Sequence, residues 1–597
     1  MKKAKRLWAV LLLAAVTACT RQELPGLATA PPSLMATIAS TPAPLNVTPP
    51  AVLAPTVSPT SAPAPSATMP APRVSGNIVR INTPFGLYPN TLDPQQVAFV
   101  NEIGVVGMIY EGLLRLNTDL TLAPGAAERW QVSNDGLTYT FTLRAGLKYS
   151  DGQPLTARNF EYALKRAVDP LLATPIQAGL FMIAGAEAYG TADAKATSTE
   201  QLQKLRDAVG VKARDDTTLD VRLVKPAAYF PYLATFYNSS YPARQDIIER
   251  AGDTWWTRAE NLVGNGPFMV KELREKERIV LVPNPHWRGP HPAADQVVYR
   301  FLSDTKTAFE AYKSGELDLI NLEAEDLVEV ERDAALRLEV LQAPGSCTQG
   351  LAFNLTKPPF DQRDVRLAFA KAVDRTAWTR DVWSGTASPA LAWLPDGIPG
   401  ANPNAGSIQA FDSAAARALL AQSGYLNGPG LPEIKLTFPS TSRDKIRHEF
   451  LASQFQRNLG ITVALDPIEP QTLVGLERSA TTFPALSLFG WCTDYPNPQN
   501  WLSLVWRSTA LAQVMGYQNQ ALDRLLDAAD AEQNTARRLE LYQQAEKIVL
   551  TDDVAFAPLH HPKHVYLVKP TVSHGRVTPV DWIFPGWFEP WQLSRTP

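Results

Sequence analysis

Between Leu24 and Pro72 the chain carries thirteen prolines and not one charged residue, with Ala, Thr and Ser filling most of the gaps. Such a stretch has too little apolar surface to offset its ordering entropy, and its prolines favour extended polyproline II. It is expected to be a disordered, semi-rigid tether covering residues 19–75, and it confines folding to the residues beyond it. The 597 residues still leave enough chain for two or more lobes.

The residues before the tether read as an address. Lys2, Lys3, Lys5 and Arg6 precede an apolar run from Leu7 to Val16, too short to span a bilayer. The run ends in Val16-Thr17-Ala18-Cys19, which resembles a bacterial lipobox. Residues 1–18 are therefore expected to be a lipoprotein signal peptide, with Cys19 lipidated after cleavage. The alternative is an ordinary secretory signal with an incidental cysteine. No other segment approaches 18 uninterrupted apolar residues. With Cys19 used, Cys347 and Cys492 remain, and an exported chain favours a disulfide between them over two buried thiols. The net charge of -3 gives no general attraction to nucleic acid.

Order is expected from about Gly76. Asn77 to Pro84 reads as a strand, Asn101 to Leu116 as an apolar helix, and Trp130 to Tyr149 as a hairpin. In that hairpin Thr138, Thr140 and Thr142 alternate with Tyr139, Phe141 and Leu143. Thr156 caps a helix through Arg166. Further on, a helix from Asp364 to Trp383 and helices near 413–423, 443–459, 520–530 and 535–550 alternate with strands. Those strands lie near 434–438, 461–465, 485–489 and 554–559, and the alternation argues for an α/β fold.

The residues give little support to catalysis. His448-Glu449 begins like a zinc-protease helix, but Ala452 stands where the second ligand belongs. There is no phosphate-binding Gly-Lys-Ser/Thr loop and no Gly-x-Ser-x-Gly elbow. His560, His561, His564 and His574 cluster, yet they read more simply as surface polarity on an edge strand broken by Pro562 than as metal ligands. The chain is expected to be neither an enzyme nor a metal or cofactor binder. One segment stands out: Gly490-Trp491-Cys492-Thr493-Asp494-Tyr495-Pro496-Asn497-Pro498 follows an apolar strand, where open α/β sheets place ligand crevices. It offers one carboxylate between two aromatics, which suits a cationic group on an apolar body.

Several motifs in order carry a resemblance. WQVSNDGLTYTFTLRAGLKYSDGQPLTARNFEYALKR (130–166), Asn265-Gly-Pro-Phe268, Asn284-Pro-His-Trp287, AYKSGELD (311–318) and Phe353-Asn354 with PPFDQRDVRLAFAKAVDR (358–375) resemble the family 5 extracellular solute-binding proteins. These are the oligopeptide- and dipeptide-binding lipoproteins of ATP-driven importers. The resemblance implies a two-lobed flytrap with an extra third domain. Lobe I would combine 76–110, 211–346 and 565–597, the extra domain would be 111–210, and lobe II would be 347–564. It also implies a Cys347–Cys492 disulfide and an Asp494 carboxylate that meets a peptide's α-ammonium. Bound peptides would hydrogen-bond strand-like to backbone near Phe99, Val100, Gly490 and Cys492, flanked by Trp491 and Tyr495.

The implied function is capture of short peptides by a monomer anchored at the outer face of the membrane, and delivery to the permease of an ABC importer. The same fold could instead serve an oligosaccharide, an opine-like compound or a metal chelate, or act as a surface peptide sensor or adhesin. One departure bears on the ligand. Relatives place bases just upstream of the Trp-Cys segment to meet the peptide carboxylate, whereas here Phe483 to Phe489 holds none and Arg478 lies further back.

Overall fold

The computed structural model describes residues 76–596 except 84–85, 173, 175–176, 236–239, 323–325, 426–429 and 576–588. The expected signal peptide, Cys19 and tether lie outside the described residues.

Twelve strands form the main sheet: β1 (Ile78–Asn82), β2 (Phe268–Arg274), β3 (Arg278–Pro283), β4 (Gln296–Arg300), β5 (Leu319–Asn321), β6 (Val340–Pro344), β7 (Cys347–Phe353), β8 (Ala387–Pro389), β9 (Lys435–Pro439), β10 (Ala464–Ile468), β11 (Leu486–Cys492) and β12 (Phe556–Val568). Their order is β10-β9-β11-β7-β12-β5-β1-β4-β3-β2, with β6 and β8 also on β12. The sheet is mixed, with β1 parallel to β4 and β9 parallel to β10, as an alternating strand and helix pattern requires.

β12 is the strand on which this arrangement turns. Its first part pairs with β7, from Phe556 to His560, and its last part with β6, from Lys563 to Leu567. The sequence suggested a strand ending near Leu559, with the histidines on an exposed edge. The structure corrects both points, because β12 is thirteen residues long and interior to the sheet. Pro562 falls between the runs of pairing with β7 and β6 and lies opposite Ala387 of β8, at a non-hydrogen-bonded position of that ladder, so its missing N–H leaves no gap in any of them. His560 is fully buried, its Nδ1 accepts from Trp378 Nε1 at 3.0 Å, and its ring lies 4.3 Å from Trp383. Burial holds its pKa well below the usual histidine range. Gly345 and Ser346 link β6 to β7 where β12 changes partner. A side chain at Gly345 would come 1.9 Å from the Pro562 carbonyl oxygen.

The hairpin is Ala127–Val132 with Thr138–Leu143, in which Tyr139, Phe141 and Leu143 are buried as their alternation requires. It continues through Thr218–Arg222 to Val211–Ala213 as a separate four-stranded antiparallel sheet, so two of its strands follow residue 210. Thr156 and Asn159 form a capping box on the helix Ala157–Ala167. That helix donates Arg166 to a buried pair with Asp93, whose carboxylate also accepts from Trp255 Nε1.

Two expected helices are shorter than their apolar runs. The first spans Val100–Ile109 and stops because the Asn265 amide takes both backbone groups of Glu111, each at 3.0 Å, and Leu114–Leu116 then pairs with Leu122–Pro124. The 364–383 run breaks into Arg363–Lys371 and Arg375–Asp381, since the Asp374 side chain caps the second piece. Among the described residues no helix is long and apolar enough to cross a membrane.

Candidate functional site

The site begins where β11 loses a neighbour. β9 pairs with it only at Leu486 and Ser487, while β7 stays alongside to Cys492. The register shows which groups this leaves open. Just past the Cys347–Cys492 pair, Thr493 N donates to Ser346 O at 3.0 Å, which makes 346/493 a hydrogen-bonded pair. Asn354 N to Ala485 O, at the far end, fits the same alternation. Cys347 and Cys492 are then a non-hydrogen-bonded pair, consistent with Cα atoms 4.0 Å apart. It follows that the N–H and C=O groups of Leu488, Gly490 and Cys492 turn away from β7. The Leu488 N–H still serves the Thr437–Ser487 bridge to β9, whereas its C=O and both groups of Gly490 and Cys492 face an edge that no described strand covers. Gly490 keeps the two strands close, since a Cβ there would stand 2.9 Å from Gln349 Cγ and Thr348 O.

The cysteines at the end of this edge form the disulfide, with an S–S distance of 2.06 Å. They tie the start of β7 to the loop that follows β11. That loop is short because Asn497 caps a new helix, Pro498–Trp506, by accepting from Gln499 N, with Pro498 in its first turn. Asn500, fully buried in the same turn, reaches back into the loop. Its Oδ1 accepts from Trp491 Nε1 and from Asp494 N, both at 3.1 Å, and its Nδ2 donates to Asp494 Oδ2 at 2.9 Å.

Asp494 is only partly exposed, and the surrounding protein strips enough water from it to raise its pKa to about 6, against the lowering effect of the Asn500 bond. No charged neighbour among the described residues offsets that desolvation. Its Oδ1 has no partner among the described residues and is not sealed from solvent. An anion held in this state favours a cationic partner. Beside it Tyr495 is buried, donates to Gln499 Oε1 and stacks on Tyr229 at 6.4 Å. Ala228 N donates to Asp530 O at 2.9 Å, joining the 225–230 segment to the same neighbourhood.

Trp491, Cys492, Gly490, Asp494 and Tyr495 are thus brought together on one strand and its loop. Phe99 and Val100 lie elsewhere, at the start of the helix Val100–Ile109, and no hydrogen bond, ion pair or ring contact joins them to 490–495 among the described residues. The backbone groups of Phe99 itself are engaged at the start of its helix. Its N–H donates to Glu102 Oε2 at 3.1 Å, and its C=O accepts from Glu102 N and Ile103 N. What Phe99 offers is its ring, 36% exposed. Val100 N–H, the first amide of the helix, has no intrahelical acceptor. Asn500 and Tyr229 were not anticipated, although Pro496-Asn497-Pro498 signalled a helix start that places Asn500 six residues after Asp494. Upstream, β11 carries no base. Phe489 stacks on Trp393, Leu486 is buried, and Arg478 is exposed on a preceding loop.

Residues 121–513 match the model of the bacterial extracellular solute-binding proteins, family 5. The chain belongs to this family. Among its family 5 relatives is the probable deoxycholate-binding periplasmic protein YgiS of Escherichia coli K12, 31% identical over 495 residues, covering 81% of this chain and 88% of that protein. Another is the periplasmic oligopeptide-binding protein OppA of the same organism, 31% identical over 492 residues, covering 81% and 87%. A solved structure of the periplasmic murein tripeptide-binding protein MppA in its unliganded open form superposes with a TM-score of 0.75 at 28% identity, over 87% of this chain and 99% of that one.

Proposed function

We propose that this protein is the membrane-anchored receptor of an ABC importer and captures short peptides by their free amino terminus. The observation that carries the reading is an open strand edge at Gly490 and Cys492 that ends on a carboxylate with no cationic partner, Asp494. An extended peptide adds to such an edge through its main chain, which gives affinity without reading sequence. Its α-ammonium supplies the charge and donors that Asp494 Oδ1 lacks. Trp491 and Tyr495 flank the first residue, and the Phe99 ring and Val100 amide face the ligand from the other lobe. The oligopeptide and murein tripeptide specificities of the named relatives support this reading.

The lobes meet at two crossings, Gly345–Ser346 and the Pro562 region of β12, and close on the ligand about them. Lobe I comprises 76–110, the chain from beyond Arg222 to 346, and 565–597, and lobe II comprises 347–564. The third domain begins at 111 and extends past the expected limit of 210, since its four-stranded sheet includes Val211–Ala213 and Thr218–Arg222. Cys19, lipidated, holds the monomer at the outer face of the membrane, and the closed form is handed to the permease.

Deoxycholate, which the name of YgiS specifies, is a second class to consider because β11 is apolar and lacks a base. A bile acid is itself an anion, however, and Asp494 would repel it. The test is native mass spectrometry of the purified protein followed by calorimetry with a free and an N-acetylated peptide. Peptide masses are expected in the carried ligand, and acetylation should weaken binding on the order of 30-fold or more. A single non-peptide ligand, or equal affinity for both peptide forms, overturns the proposal.

A further inference from the structure

We infer that Asn500 is the positioning residue of the ligand site, because one buried amide holds Trp491 and Asp494 together and leaves a single oxygen of Asp494 for the ligand. The inference rests on the reading that Asp494 receives the ligand's cation.

Donor and acceptor chemistry fixes the amide's orientation. Trp491 Nε1 and Asp494 N are donors only, so both must meet the carbonyl oxygen of Asn500, and the carboxylate must meet its nitrogen. No other side chain among the described residues bonds to Asp494. The three contacts have separate consequences. The bond to Asp494 N sets the turn of the loop, the bond to Trp491 sets the indole beside it, and the bond to Oδ2 pins the carboxylate so that Oδ1 stays open. Asn500 is itself rigid, since it is fully buried on a helix whose start Asn497 and Pro498 define. A carboxylate pinned in advance loses little freedom when it meets an ammonium, and preorganisation of this kind raises affinity without any new contact to the ligand.

The test is a double-mutant cycle between Asn500→Leu and Asp494→Ala, read by calorimetry with one tripeptide in free and N-acetylated forms. Asn500→Leu should lower affinity for the free form by about tenfold, the scale of a hydrogen bond to a charged group. It should leave the acetylated form much less affected, so that discrimination between the two collapses. In the Asp494→Ala background the same change should have little further effect. A structural role alone would weaken both peptides equally and add to Asp494→Ala. That result, or a leucine variant that discriminates as well as wild type, overturns the inference. Should the leucine variant fail to fold, Asn500→Ser, polar but too short to reach all three partners, takes its place in the cycle, and the same loss of discrimination is expected of it. A wild-type protein that does not discriminate between the two peptides refutes the peptide reading itself, which is a separate outcome.

Discussion

Ligand affinity should fall in acid, and the size of the fall is set by Asp494. Burial raises its pKa in the free protein from 3.8 to about 6. A bound ammonium favours the ionised carboxylate and draws the pKa back toward its ordinary value. Binding then releases a proton wherever the free site holds one, and affinity is lost as pH falls through about 6. The slope is about tenfold per pH unit, and the roughly two units available give a total of about 100-fold, or about 3 kcal/mol. Partial exposure of the carboxylate makes this an upper bound. Above about 8 the peptide's own amine begins to deprotonate. A plateau near neutrality with an acid limb is therefore expected from calorimetry with an uncharged-side-chain tripeptide between pH 4.5 and 8.

Asp494→Asn should lower the plateau and abolish the limb, which separates Asp494 from Glu477, another buried carboxyl whose pKa is raised to about 7. In the ligand-free chain the sign reverses. A raised carboxyl pKa stabilises the folded state most fully below 3.8, and that contribution is lost as pH rises through about 6. Asp494→Asn should accordingly raise the ligand-free melting temperature at pH 7.5. A wild-type affinity that is flat from pH 7 to 4.5, or an acid limb that survives in Asp494→Asn, refutes the reasoning.

Three further outcomes are open to measurement. Replacing Cys347 and Cys492 by Ala should lower stability by about 5 kcal/mol, the chain-entropy value for a bridge across 145 residues, and an unchanged denaturation midpoint would contradict it. Gly345→Ala should destabilise the protein by about 1–3 kcal/mol, because the added carbon meets the backbone oxygen of Pro562, which cannot step aside. Cys19→Ser should move the protein from the membrane to the soluble fraction, and undiminished partitioning into detergent would argue against the anchor.

Local pattern made much of this legible in the sequence. The hairpin at Thr138–Leu143 alternates because one face is buried, and the Thr156 helix starts at a visible cap. The sequence misled where distant residues decide. Nothing near Ile109 announces the end of its helix, because the amide that ends it belongs to Asn265, 154 residues away from Glu111. Pro562 and four histidines argued for an exposed edge, yet β12, which holds three of them, is interior, because the proline takes a position where no ladder needs its N–H and burial keeps the imidazoles uncharged. At the site, the Asp494 segment could be singled out from its residues, but the open side of β11 could not. That openness depends on β9 leaving the ladder after Ser487, which is a matter of pairing between strands.

β12 is made after the other eleven strands of the main sheet. Until residues 556–568 emerge, β5 and β6 lack a partner on one side of the molecule and β7 and β8 lack one on the other. The join between the two halves of the sheet therefore waits for β12. The same dependence acts in reverse. Peeling β12 from one half strips the other, so the two halves should melt together in one transition rather than one after the other.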